Sequence, residues 1–432
     1  MKLVKVCTLF IFGAMSALPV CAQTITQTIG IDAAVQMALE NNLSLKEEEI
    51  TLNGYKRSNA YSWNSISPSL TAGATYSKSV EPGETEIGTS KLYGRISLSI
   101  TPALYTEIKT AKINYENGKL SYETAVKTVE LNVRKAFYKL LYDADNVKLQ
   151  EQNLESAEKQ YRQNLSKYNQ GGMSRLDVLS AQVSVENQKP NVLSAKTTLE
   201  NDMASFKQTL GISQDVNLVL NGTLDDILLI GDISIDDIEA QSATLKALEN
   251  KLSLAQTAVL ASRFNAYGPT ITGSYEASRS YRTGSKDGTN GGAISASVSI
   301  PLDGILPWSS SAQNVSSAKD EVKSLELQIE DEKTTLRVNT ESYLRSIAQS
   351  KAAIASLKAS ADLAKETYDM TLTAYQRGSK DLLSLQTALD GLLEAQVNLK
   401  SAAYSLISSI LDLENELGIP FGTLSLGKAA AE

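Results

Sequence analysis

The hydrophobic positions of this chain follow two rhythms, and the rhythms come in the same order twice. Long stretches with an apolar residue at every third or fourth position predict helices, and short stretches with an apolar residue at every second position predict strands. Each half of the chain reads helix, strand, loop, strand, very long helix, tight turn and helix. This order predicts two copies of one supersecondary unit.

Short motifs support the internal repeat. Tyr168-Asn-Gln-Gly171 in the first half returns as Tyr375-Gln-Arg-Gly378 in the second. Leu210-Gly211-Ile212 returns as Leu417-Gly418-Ile419 at the same separation. We therefore expect the two halves to have matching helices and turns.

The helical stretches are long and have narrow apolar seams. At 1.5 Å per residue, the longest helix of each repeat would be about 100 Å long. Two shorter helices stacked end to end would then run antiparallel beside one long helix, with packing like that of coiled coils. The expected helices run from Ile31 to about Asn64, from Ala103 to Asn169, from a cap at Ser174 to about Leu210, from about Ile235 to Asn265, from Ser311 to Gln376 and from Asp381 to Leu417.

The strand-like stretches come in two pairs. Apolar side chains occupy one predicted face and mostly Ser and Thr occupy the other, as would suit a sheet between lipid and a water-filled lumen. Each stretch is about 9–11 residues long, which is the length of a tilted strand that crosses a membrane. Polar, glycine-containing loops join the members of each pair. The predicted strands cover about residues 69–78, 92–101, 269–279 and 293–301.

Four strands are too few to close a barrel, and an open sheet edge is not tolerated in lipid. Several copies of the chain would therefore have to share one barrel, and three copies would supply 12 strands. The alternative is two ordinary amphipathic hairpins packed on a soluble core. The thin rods that flank each hairpin argue against that alternative.

The amino terminus has the pattern of a secretory signal peptide over residues 1–22, with cleavage after Ala22. Its apolar stretch is about half the length that a spanning helix needs, which argues against a membrane anchor. Cys21 leaves lipidation of the amino terminus as an alternative, although Val20 is larger than the small residue that lipoprotein signals favour at that place.

The composition excludes several kinds of chemistry. The chain contains no histidine, and its two cysteines are Cys7 and Cys21, so a mature chain cut after Ala22 has neither. Thiol nucleophiles, disulfide frameworks, imidazole bases and Ser-His-Asp triads are then impossible. The net charge of −8 and the absence of basic runs argue against a nucleic-acid partner. We expect no catalytic residues, no metal site, no cofactor and no enzymatic activity.

The ordered set of features resembles the TolC family of outer-membrane efflux proteins over essentially the whole mature chain. The resemblance rests on the tandem repeat, on the strand pair in each copy and on the paired Tyr-x-x-Gly turns. Each turn precedes a helix that carries Leu and Gln, namely Leu176-Asp177-Val178-Leu179-Ser-Ala-Gln182 and Leu382-Leu383-Ser-Leu385-Gln386.

The resemblance implies a mainly α-helical protein with a membrane β-barrel portion. It implies a homotrimer in the bacterial outer membrane, with a 12-stranded barrel continued by a periplasmic α-helical barrel. It further implies docking to a periplasmic adaptor (membrane fusion) protein and an inner-membrane RND or ABC transporter. The domain expectation is a first repeat over 23–225, a second repeat over 226–420 and a carboxyl-terminal tail over 421–432.

By the same resemblance, the two helix-to-helix turns form the periplasmic entrance. The polar network that closes the family's entrance corresponds here to Asp177, Tyr375 and Lys380. Lysine replaces an arginine at position 380, so this latch would lose a planar fork of donors. The alternative is that Asp177 and Lys380 are simply solvated charges near helix ends. The tips expected to meet the adaptor comprise Gly171, Gly172, Met173, Ser174, Gly378 and Ser379.

The family's best-studied member also carries two inward carboxylates just beyond this network. This chain has Ser384 and Thr387 in their place, which argues against a cation-binding acidic ring. The expected function is a passive export duct of a tripartite efflux or type I secretion system. The alternative is a structural coiled-coil envelope protein without channel activity. The sequence does not indicate the cargo.

Overall fold

The computed structural model describes residues 26–78, 88–224 and 242–424, apart from Thr283 and Lys286. The expected signal peptide, most of the loop that joins the first strand pair, and residues 235–241 of the expected helix at Ile235 lie outside the described residues. The same holds for residues 425–432 of the expected tail.

The helices dominate the described residues and repeat in length as well as in order. The two longest have 67 residues each, and the helix that follows each of them has 36. The helices are α1 (Ile31–Asn41), α2 (Leu43–Ala60), α3 (Ala103–Asn169), α4 (Arg175–Leu210), α5 (Ala243–Tyr267), α6 (Ser310–Gln376) and α7 (Leu382–Leu417). Helices α2 and α4 both pack along α3, and α5 and α7 both pack along α6. The expected arrangement of two shorter helices beside one long helix is thus confirmed in both repeats.

The expectation of one continuous helix from Ile31 to about Asn64 is wrong. Asn42 interrupts it with an extended backbone at φ −60° and ψ 125°. The side-chain oxygen of Asn42 accepts hydrogen bonds from the backbone N–H groups of Ser44 and Leu45, which caps α2. Its amide group donates to the carbonyl of Thr209 at 2.9 Å, which ties the break to the end of α4.

The helix ends show the repeat at atomic detail. Gly171 and Gly378 have left-handed φ values of 76° and 79° after α3 and α6, as expected for glycine at a helix end. The next N–H in each repeat bonds five residues back, from Gly172 to Lys167 and from Ser379 to Ala374, both at 2.9 Å. These are Schellman ends, and the same bond recurs after α4 and α7, where Ile212 and Ile419 each donate at 3.1 Å to Lys207 and Glu414.

Four of the described strands form one antiparallel sheet with the order β2-β3-β5-β6. Its strands are β2 (Ser69–Lys78), β3 (Gly88–Ile100), β5 (Thr270–Arg282) and β6 (Thr289–Ser299). The sheet joins the hairpins of the two repeats through β3 and β5, so β2 and β6 lie at its edges. β3 begins four residues before the expected start at residue 92, because its first residues also pair with β2 and with β5.

A second, smaller sheet was not expected from the sequence. β1 (Thr26–Ile29) pairs in parallel with β4 (Asn217–Leu220), and each strand has four residues. Runs this short show no clear periodicity. They lie beside the main apolar core, where α1, α3, α4, α6 and α7 meet around large buried side chains that include Phe137, Phe206, Leu210, Ile407 and Ile410.

The carboxyl-terminal end of the described chain is fastened to this core. The buried carboxylate of Glu414 accepts hydrogen bonds from the backbone N–H groups of Gly422 at 2.9 Å and Leu424 at 2.7 Å. Phe421 and Leu424 pack against the core. The first four residues of the expected tail are therefore an ordered part of the fold.

Candidate functional site

The two faces of the four-stranded sheet differ sharply in chemistry. The register aligns Leu70, Ile96, Tyr275 and Ile294 in one row across all four strands. These side chains are between 45% and 84% exposed in the single chain. An apolar row of this width on a sheet surface marks a contact with lipid or protein. The faces expected from the sequence alternation are confirmed by this register.

The opposite face carries small polar side chains. Its clearest row consists of Ser69, Ser97, Ser274 and Ser295, again one residue from each strand. The hydroxyls of Ser69 and Ser97 share a 2.7 Å hydrogen bond, and those of Ser274 and Ser295 share another of 2.7 Å. This face is suited to contact with water.

Large aromatic residues lie just beyond the sheet, where its strands meet the helices. Trp63 precedes β2 and Trp308 follows β6, and these exposed residues are the two tryptophans of the chain. Tyr105 follows β3 and Tyr267 precedes β5, and both are also exposed. Tyrosine and tryptophan are enriched where a membrane meets water, because their rings are apolar and each carries one polar group. These four residues were not predicted as site residues from the sequence, although their positions next to the strands were a usable signal.

At the end of the long helices that is distant from the sheet, the α3–α4 hairpin and the α6–α7 hairpin are joined by a small buried cluster. Its buried members are Ala181, Tyr375, Leu382 and Leu385, and Met173 packs against them. The Tyr375 hydroxyl donates a 2.7 Å hydrogen bond to Oδ1 of Asn164, which is fully buried on α3. The first hairpin therefore contacts the second through both apolar packing and a polar bond.

The three expected gate residues all lie at this end of the molecule. Burial raises the pKa of the Tyr375 hydroxyl, the hydrogen bonds with Asn164 and Gln160 lower it, and the negative charge of Asp177 raises it. Asp177 lies one turn of α4 before Ala181, which belongs to the same buried cluster as Tyr375. The Asp177 carboxylate accepts a 2.7 Å hydrogen bond from Ser174, and the Asp177 N–H donates to the Ser174 hydroxyl, which caps α4. Lys380 lies exposed in the turn between α6 and α7.

The turn residues expected to meet a partner differ in exposure. Gly171, Gly172, Ser174, Gly378 and Ser379 are exposed, whereas Met173 is half-buried against the cluster around Tyr375.

Two exposed leucines near these turns were not singled out as site residues. Leu176 and Leu383 occupy equivalent positions at the starts of α4 and α7, and they are 72% and 70% exposed. The internal repeat was the signal that could have identified them.

A row of buried and half-buried polar side chains runs along one side of α3, at spacings of three and four residues. Asp143, Asn146, Gln150 and Asn153 each have at least one buried oxygen or nitrogen atom without a hydrogen-bond partner in the described protein. Such atoms destabilise packing by about 1–3 kcal/mol each.

Comparison with known proteins agrees with this architecture. Residues 34–212 and 234–418 match the profile of the family described as "Outer membrane efflux protein". The two matched segments correspond to the two repeats. No curated protein sequence matches the chain.

Several solved structures share the fold at low sequence identity. The CmeC outer membrane channel of Campylobacter jejuni is 20% identical, with a TM-score of 0.72 over 90% of this chain and 85% of that one. The outer membrane protein VceC of Vibrio cholerae is 16% identical, with a TM-score of 0.72 over 90% and 96% of the two chains. The MtrE outer membrane channel of Neisseria gonorrhoeae, in its open state, is 18% identical, with a TM-score of 0.69 over 90% and 89%.

Among the described helices, none has the combination of length and apolar character that crossing a membrane would need. The family match covers most of the chain and both of its repeats, and the likeness in fold extends over nine-tenths of it. On this basis the chain belongs to the outer membrane efflux protein family, whose members are export channels in the outer membrane of bacteria.

Proposed function

We propose that three copies of this chain form one 12-stranded barrel in the outer membrane, which continues as a helical tunnel into the periplasm. The observation that carries the proposal is the exposed apolar row of Leu70, Ile96, Tyr275 and Ile294, backed by a polar face. Burying such a row in lipid stabilises the assembly by roughly 25 cal/mol for each Å² of apolar surface. The polar face then lines a passive path for export.

The edges of the sheet supply the argument for a shared barrel. β2 and β6 end the sheet, so each has one side that no described strand covers. Unpaired backbone groups in lipid cost several kcal/mol each, so β6 of one copy would pair with β2 of the next. Twelve strands give a lumen wide enough for solutes.

The hairpin turns form the periplasmic entrance in this proposal. Asp177, Tyr375 and Lys380 act there as the closing network, which is supported by the packing of Tyr375 in one cluster with Ala181, one turn from Asp177, and by the exposure of Lys380. The exposed tips meet a periplasmic adaptor, which joins the channel to an inner-membrane RND or ABC transporter in a tripartite efflux or type I secretion system. Leu176 and Leu383 add exposed apolar surface to these tips.

The test is the mass of the detergent-extracted protein by light scattering, combined with conductance in planar bilayers. A trimer that conducts ions supports the proposal. A detergent-independent monomer or dimer without conductance would contradict it and favour a structural coiled-coil protein of the envelope.

A further inference from the structure

One cluster of charged side chains interrupts the polar face of the sheet. The register places Arg95 of β3 directly opposite Glu276 of β5. Lys91, Tyr93 and Arg95 are each two residues apart along β3 and therefore lie on the same face of the sheet. The Glu276 carboxylate accepts a 2.6 Å hydrogen bond from Lys91 Nζ and a 3.0 Å bond from Arg95 Nε. One acidic side chain thus binds two basic ones.

The cluster is fixed in place by its surroundings. The Tyr93 ring lies between the two cations, with Lys91 Nζ 5.9 Å and the Arg95 guanidinium 6.0 Å from its centre. Tyr93 in turn covers Gly73 of β2, where an added Cβ would lie 2.7 Å from the ring. A Cβ at position 73 would therefore force the Tyr93 ring to move away from β2. An ordered cluster can present its charge at a defined position along the strands.

The charges of the cluster do not cancel. Two cations face one carboxylate, so a net positive charge remains. The Glu276 side chain is 12% exposed, whereas those of Lys91 and Arg95 are 38% and 51% exposed. The negative charge is thus largely covered, and the surface presented to solvent is cationic. Arginine has five N–H donors and lysine three, so both retain donors beyond those that bind Glu276.

We propose that Lys91, Tyr93, Arg95 and Glu276 form a cationic binding site in the lumen that favours anionic solutes, such as those with carboxylate or phosphate groups. The proposal rests on the proposed function, because it requires the polar face to line a water-filled path. In a trimer the site would be present three times at the same height. Glu276 holds the two cations in position and limits the excess charge to one per chain.

The test uses a cysteine as a local probe of electrostatic potential. The chain contains no cysteine after Cys21, so Ser278→Cys introduces a single thiol into the processed protein. Ser278 lies opposite Tyr93 and two residues from Glu276 on the same face of β5, which corresponds to about 7 Å. The rates of modification by cationic, anionic and neutral methanethiosulfonate reagents are measured in outer-membrane vesicles at low salt.

We expect the anionic reagent to react faster than the cationic one. Combining Ser278→Cys with Glu276→Gln should raise the anionic rate and lower the cationic rate, each about threefold, as expected for one charge at about 7 Å in water. Arg95→Gln should shift both rates in the opposite direction, whereas Arg95→Lys should leave them unchanged. The neutral reagent reports any change in access alone. A control probe, Ser299→Cys, lies on β6 about 20 Å along the strands from the level of Glu276, and its reaction rates should not respond to the charge variants.

The outcomes separate this inference from the proposed function. If the thiol at position 278 reacts with all three reagents but the ratio of rates does not change with the charge variants, the cluster only stabilises the sheet and the inference is wrong. If not even the neutral reagent reacts, the polar face is not open to water, which overturns the lumen and the site together. Migration of each variant as the same oligomer as the parent excludes misfolding as the cause.

Discussion

The Tyr375 hydroxyl donates a 2.7 Å hydrogen bond to Asn164, which joins the last turns of the two longest helices. Tyr375 is therefore bound to the first hairpin of its own chain. Any further polar contact of this residue with a neighbouring copy would compete with this bond or share its oxygen. Tyr375, one of the three expected gate residues, is thus held in position by a contact within a single protomer.

Removing this hydroxyl should loosen the ends of the hairpins. Tyr375→Phe removes one of the two donors to the buried Oδ1 of Asn164, which still accepts a 2.8 Å hydrogen bond from Gln160. The loss of one such bond costs about 0.5–1.5 kcal/mol. We expect faster amide hydrogen exchange in the last turns of α3 and α6, with unchanged exchange near Phe137. Tyr368→Phe, in the same packing region, is the matched control. Equal exchange in both variants would show that the bond contributes nothing to the tips.

Neutralising the proposed gate should increase leakage through the entrance. We expect Asp177→Asn and Lys380→Ala to raise single-channel conductance and the entry of large antibiotics, because each removes a charge from the closing network. Ser174 still caps α4 in the first variant, since its hydroxyl accepts from the backbone N–H of residue 177. Lys380→Arg is the control that keeps the charge. Unchanged conductance in both charge-removing variants would contradict the gate.

A charge at the tip should block partner docking without affecting the fold. A Cβ at Gly172 would meet only the Lys167 carbonyl oxygen, at 3.6 Å, so a side chain fits there without strain. We expect Gly172→Glu to abolish export while the oligomer persists, and Gly172→Ala to retain export. Gly171 and Gly378 are unsuitable for this test because of their positive φ values. Loss of the oligomer in Gly172→Glu would instead indicate a structural role for the turn.

Acidification should stabilise the junction of α3 and α4. Burial raises the pKa of the Asp143 carboxyl; Asp202 raises it further, whereas the ion pair with Lys139 lowers it. Between the unfolded pKa of about 3.9 and the raised folded pKa, the folded protein binds more protons. The contribution of Asp143 to the free energy of unfolding therefore falls as the pH rises through this window.

The measurement is the melting temperature of the parent and of Asp143→Asn from pH 4 to pH 8. We expect the variant to lack this component of the pH dependence and to gain stability relative to the parent towards neutral pH. Asp320→Asn, at an exposed position on α6, should retain the parental profile. A profile of Asp143→Asn parallel to that of the parent would show that this carboxyl does not titrate in the window.

The two tryptophans should report the membrane boundary. Trp63→Phe and Trp308→Phe each leave one tryptophan, whose fluorescence is measured in vesicles of brominated lipids. Both residues lie where strands meet helices, so we expect stronger quenching by bromine near the headgroups than by bromine at the chain ends. Absence of quenching in both variants would show that this level of the protein lies outside the membrane.

The helix ends illustrate what could be predicted from sequence. Gly171, Gly378 and the Ser174 cap act locally, through backbone conformation and bonds within a few residues, and the sequence identified all three. The interruption at Asn42 was missed although its side-chain oxygen caps α2 through local bonds to Ser44 and Leu45. Its other bond, from the amide to Thr209, joins residues more than 160 positions apart and leaves no local pattern. Strands β1 and β4 were missed for the same reason, since each is stabilised by a distant partner.

The sequence by itself determined the repeat, the long helices, the two faces of each strand and the family, because periodicity and turn chemistry are local properties. The tertiary structure decided which residues meet. It bound Glu276 to both Lys91 and Arg95, joined Tyr375 to Asn164 and paired β3 of the first repeat with β5 of the second. These pairings depend on strand register and on helix packing over long sequence separations, which no local pattern specifies.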